Sequence, residues 1–198
     1  MVIAVLRTIE RHGLRTSAVV CLAGLVTGAG VVELAAGPLG QSSRFSLDLL
    51  MQLELRFVGP LVVSVLAVAL LVPLWLERLQ REGSGCWRRC VPAAAVLAPL
   101  LQLQMLLTSV LGGTLISPRA DLAGELRELA AGLDTGAFAL SLLRAAVFLG
   151  LTSAWLLRQA ARELERGQAV ARIASDLTIQ GLVILFLCKL IWILAFPL

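Results

Sequence analysis

Residues 57–76 read FVGPLVVSVLAVALLVPLWL, twenty positions without a charged side chain. At about 1.5 Å of rise per residue, a helix of that length crosses a hydrocarbon core of roughly 30 Å. Outward along the chain, residues 17–38, 91–116, 136–157 and 177–198 repeat the pattern. Residues 91–116 also lack a charge, and the other three stretches carry one each: Glu33, Arg144 and Lys189. Short Arg-rich connectors join them and leave little chain for a soluble domain. The reading is an all-α polytopic membrane protein, a single transmembrane domain over residues 1–198 with five spans.

Composition agrees. Charged residues make up 15% of the chain, where a soluble domain carries about a quarter. The formal charge of +4 would point a soluble protein toward nucleic acid. Here the basic residues gather at span ends, where they set topology, and nucleic acid is excluded. Arg7, Arg11 and Arg15 precede the first span; Arg78, Arg81, Arg88 and Arg89 lie between spans two and three; Arg158, Arg162, Arg166 and Arg172 lie between spans four and five. The opposite side holds only Arg44, Arg119 and Arg127, besides Arg56 at the mouth of span two. The positive-inside rule then puts the N-terminus in the cytoplasm.

Two shorter elements accompany the spans. In residues 1–15, Val2, Ile3, Val5, Leu6 and Ile9 alternate with Arg7, Glu10, Arg11 and Arg15 at helical spacing, which predicts an amphipathic helix in the cytoplasmic interface. A signal peptide is the rival reading. The apolar run exceeds the usual core of about 7–15 residues and Glu33 interrupts its end, so a retained helix is expected. In residues 118–135, Pro118 and Asp121 are suited to start a short helix with Leu122, Leu126 and Leu129 on one face.

The four cysteines form no disulfide framework. Cys21 and Cys188 lie in apolar stretches and read as small hydrophobes. Cys86 and Cys90 share one connector, but a metal would need about four ligands and the one histidine, His12, is distant in sequence. Reduced thiols and no metal are expected.

Charges inside a span are costly, which makes them functional candidates. On this topology Arg144, Lys189, Arg56 at the mouth of span two, and Glu33 all fall in the outer half of the bilayer. Arginine grips a phosphate through paired hydrogen bonds and lysine as a point charge, so these four residues are a candidate lipid-headgroup site. The competing reading pairs them internally, Glu33 with Lys189 or Arg144, or lets the basic side chains reach the interface. Gly24, Gly28, Gly30 and Gly112–Gly113 fit close packing of helices. No phosphate-binding loop, His/Glu zinc pair or intramembrane Ser/His constellation is present. With one histidine and no tyrosine the acid–base repertoire is thin, and no enzyme is expected.

The head of span two, Leu55-Arg56-Phe57-Val58-Gly59-Pro60-Leu61, resembles the Leu-Arg-Glu-Leu-Gly-Pro-Val signature of the MlaE/YrbE permeases, the membrane subunits of MCE-type ABC lipid transporters. Leu55, Arg56, Gly59 and Pro60 carry the match, and Phe57 stands where the family has Glu, with Glu54 one turn earlier. Trp87-Arg88-Arg89-Cys90-Val91-Pro92 resembles the family's lead into span three. Ser141-Leu142-Leu143-Arg144-Ala145-Ala146-Val147-Phe148 resembles its span four, and Arg166–Thr178 its connector into the last span.

The resemblance implies a phospholipid-transporting permease of the bacterial inner membrane. Its implied partners are an ABC ATPase subunit, a second permease chain (itself or a paralogue) and a periplasmic MCE-domain protein. No cofactor is implied in this chain, because ATP belongs to the partner. The family's coupling helix between spans two and three is shortened here to residues 77–90, where Glu77, Arg78, Arg81 and Glu82 are the candidate ATPase-facing residues. That shortening supports a second expectation, a non-transporting scaffold subunit that keeps the fold.

Overall fold

A computed structural model describes residues 2–39, 49–116 and 134–195, with the single positions 124, 127 and 131. Among them five helices are long and apolar enough to cross a membrane, and no strand occurs. They are α1 (Val2–Leu39), α2 (Leu49–Glu82), α3 (Trp87–Ile116), α4 (Thr135–Glu165) and α5 (Val170–Ala195). A helix bonds its own backbone groups, which hydrocarbon cannot do for them. Of the short helix expected in residues 118–135, positions 124, 127 and 131 are helical, and Leu122, Leu126 and Leu129 lie outside the described residues.

The helices overrun the apolar stretches that announce them. α4 continues past Leu157 through Arg158 and Arg162 to Glu165, and Gly167 at φ 72° then turns the chain. The amphipathic segment precedes the first span and joins it without a break, as one helix from Val2 to Leu39. Its buried stripe is Thr8, His12, Thr16 and Val20, spaced by four, while Leu6 and Leu14 face outward. Arg7, Glu10, Arg11 and Arg15 are exposed with those leucines, a mixed outer face suited to the membrane surface.

α1 packs mainly along α3. A Cβ on Gly28 would overlap the Ser109 carbonyl, and one on Gly112 the Leu25 carbonyl, so the two backbones approach through their glycines. Gly24 meets Met105 and Thr108 in the same seam. Gly30 has open space around it and takes no part, contrary to the close packing expected of it. α2, α3 and α4 form the centre, with Val63, Leu71 and Trp75 meeting Leu97, Leu101, Met105, Phe148 and Leu156 in one core. α5 packs on α4 and α2, so α1 and α5 flank the bundle.

Candidate functional site

α2 is not uniform. Over Glu54–Val58 it widens into a π-turn, and the Gly59 N–H bonds to the Glu54 carbonyl. In an α-helix the Arg56 carbonyl would accept from the N–H of residue 60, but Pro60 has none. Two cations fill the vacancy. Arg144 Nη1 of α4 and Lys189 Nζ of α5 each donate to the Arg56 carbonyl at 3.0 Å. Three helices are thereby joined at one oxygen.

Aromatic rings hold both cations. The Arg144 guanidinium lies 5.0 Å from the centre of the Trp192 indole, and Lys189 Nζ lies 4.4 Å from the centre of the Phe57 ring. Trp192 is itself braced edge-on by Phe148, with centroids 6.0 Å apart. Such contacts each contribute about 0.5–2 kcal/mol, more as water is excluded. Lys189 is buried, Arg144 half-buried and Arg56 exposed. Arg144 Nε is enclosed without a hydrogen-bond partner among the described residues. No carboxylate there pairs with Arg56, Arg144 or Lys189; the ion pairs lie elsewhere, at Glu77–Arg81, Glu82–Arg89, Glu163–Arg166 and Asp176–Arg172. The arrangement is a cationic cluster with donor capacity to spare, suited to an anion.

The structure thus brings together the side chains of Arg144 and Lys189 at the backbone of Arg56, whose own side chain is exposed. Glu33 is not with them. It stands exposed on α1, whose main partner is α3, whereas the cluster is built from α2, α4 and α5. Neither expected pairing, with Lys189 or with Arg144, forms. Of the signature residues, Leu55, Gly59 and Pro60 are buried and Arg56 contributes its carbonyl.

The carboxylate that does enter the bundle is Glu54. It is fully buried, and both its oxygens lack a partner among the described residues. Gln102 of α3 presses against Gly59, one π-turn along, and its amide atoms are likewise unpaired there. An unpaired buried acid is costly. Glu54→Leu is expected to raise the unfolding temperature in detergent by about 3–6 °C. A fall instead would show that Glu54 holds a partner worth more than its burial costs.

At the other end of the bundle, Glu77, Arg78, Arg81 and Glu82 are the last turns of α2 and form no docking helix of their own. Arg78 Nη1 turns inward to donate to Thr8 Oγ1 at 2.8 Å. Arg81 pairs with Glu77 at 2.6 Å and Glu82 with Arg89 at 3.7 Å. A single 3₁₀ turn, Gly83–Cys86, leads straight into α3, with Gly83 at φ 70°. Cys86 Sγ and Cys90 Sγ lie 3.0 Å apart, both buried. The hydrogen bond to Cys90 and burial push the Cys86 thiol up, so it stays protonated at neutral pH. Alkylation needs the thiolate. Maleimide at pH 7 is expected to spare Cys86 in the folded protein and to label it after unfolding, as peptide mass spectrometry would show.

The sequence did not point to Trp192 or Gln102, nor to the contact of the Phe57 ring with Lys189. Its usable signal was Pro60 standing four residues after Arg56, which frees the carbonyl that both cations seek. The chain matches no protein-family model, no curated protein and no solved structure.

Proposed function

We propose that this chain is the permease-like membrane subunit of an ABC-type phospholipid transporter, and that Arg144, Lys189 and Arg56 hold the phosphate of its lipid. One observation carries the reading: two intramembrane cations converge on the Arg56 carbonyl, with a buried guanidinium N–H unused and no carboxylate paired to them among the described residues. Like charges held together are relieved by an anion, and a phosphate offers the oxygens that Arg144 Nε lacks. Phe57, half exposed beside Lys189, adds an apolar wall.

On this reading the chain sits in a bacterial inner membrane with its N-terminus in the cytoplasm, as its arginine distribution favours. A second permease chain closes the lipid cavity, an ABC ATPase subunit hydrolyses ATP, and an MCE-domain protein exchanges lipid in the periplasm. The test is purification of the natively expressed protein in gentle detergent, with mass spectrometry of proteins and lipids. An ATPase, an MCE protein and stoichiometric phospholipid support the proposal. Their absence removes it.

A second reading has its own support. The same two hydrogen bonds tie α4 and α5 to α2, and a four-residue turn stands where a longer coupling connector is expected. Both features suit a scaffold subunit that transports nothing. Under that reading, neutralising the cations changes stability and leaves bound lipid unchanged.

A further inference from the structure

Between the ends of α2 and α4 and the start of α3 lies a groove of about 500 Å³, lined by Leu79, Trp87, Ala154, Leu157, Arg158, Ala161 and Arg162. Its floor is apolar, with Leu79 and Leu157 buried. Its rim carries two exposed guanidiniums, Arg158 and Arg162, one helical turn apart on α4. Neither has an acidic partner among the described residues, although Arg166 and Arg172 nearby are both paired. Trp87 is half exposed, with the Arg88 guanidinium 5.9 Å from the centre of its ring. An indole at a span end marks the level of lipid headgroups.

We propose that this groove binds an anionic phospholipid of the leaflet on the Arg-rich side, with the phosphate between Arg158 and Arg162 and an acyl chain along Leu79, Ala154, Leu157 and Ala161. The volume is within the usual range for a ligand site, about 300–1,000 Å³. The chemistry is that of basic pockets between transmembrane helices, which take acidic headgroups. The site lies at the opposite end of the bundle from the Arg56 cluster and does not rest on the transporter reading.

The experiment is quenching of Trp87 by chain-brominated phosphatidylglycerol or phosphatidylcholine, with the protein reconstituted in vesicles. The Trp87 share of the emission is the part that Trp87→Phe removes. Two guanidiniums are expected to give phosphatidylglycerol roughly a tenfold advantage in the mole fraction needed for half-quenching. Arg158→Gln with Arg162→Gln, both exposed and without consequence for the core, is expected to erase that advantage. Ala161→Leu, which keeps both charges and fills the groove, is expected to reduce it as well. Equal quenching by the two lipids overturns the proposal, as does an advantage that survives the double substitution. An advantage unmoved by Ala161→Leu also overturns it, because the arginines then attract acidic lipid without a groove.

Discussion

Arg144→Gln is expected to lower the phospholipid retained by the purified protein roughly tenfold while the chain stays folded. The two halves of that outcome come from different atoms. If Arg144 holds a lipid phosphate, as proposed, lipid is lost because a charge-assisted phosphate contact contributes about 1.5–3 kcal/mol and glutamine cannot supply it. The fold survives because Lys189 still donates to the Arg56 carbonyl at 3.0 Å. Lys189→Gln is the mirror case, with Arg144 left to hold the same oxygen. Only the double substitution orphans that carbonyl, and it is expected to lower stability by about 1–3 kcal/mol beyond the sum of the single changes. Lipid quantification and thermal unfolding on the four proteins complete the cycle. Retention of lipid by all four would leave the scaffold reading in place and remove the headgroup site.

Gly28→Leu carries the largest structural effect. The Ser109 carbonyl occupies the space where a side chain at residue 28 would begin, and that carbonyl belongs to a helix backbone that cannot swing aside. The α1–α3 seam must open, at an expected loss of about 3 kcal/mol. Gly30→Leu is the matched control, with open space at the same kind of residue two positions on. Unfolding of the two variants in detergent should differ by several degrees, and equal behaviour would show that α1 is not held by this seam.

The fold was legible because a bilayer writes its requirement directly into composition. Residues 57–76 leave no other reading, and all five expected spans fall within or largely within observed helices. Helix ends were less legible, because hydropathy reports depth in lipid while the backbone keeps coiling through arginine and glutamate, as α4 does after Leu157. The candidate site was half legible. Depth alone put Arg56, Arg144, Lys189 and Glu33 at one level, but depth has no azimuth. Three of them share helices that pack together and Glu33 does not. The burial of Glu54 was hidden for a related reason: it lies in the π-turn before the apolar run, at a position that hydropathy assigns to the interface and the bundle buries.

One consequence concerns mechanics. α1 has 38 residues, so it is about 57 Å long, nearly twice the roughly 30 Å of hydrocarbon it crosses. No hinge interrupts it, and Arg78 latches it near its start through Thr8. The rod thus spans the bundle from its Arg-rich end, where Arg78 holds it, to its seam with α3 at Gly28, and α3 in turn meets the Arg56 turn where Gln102 faces Gly59.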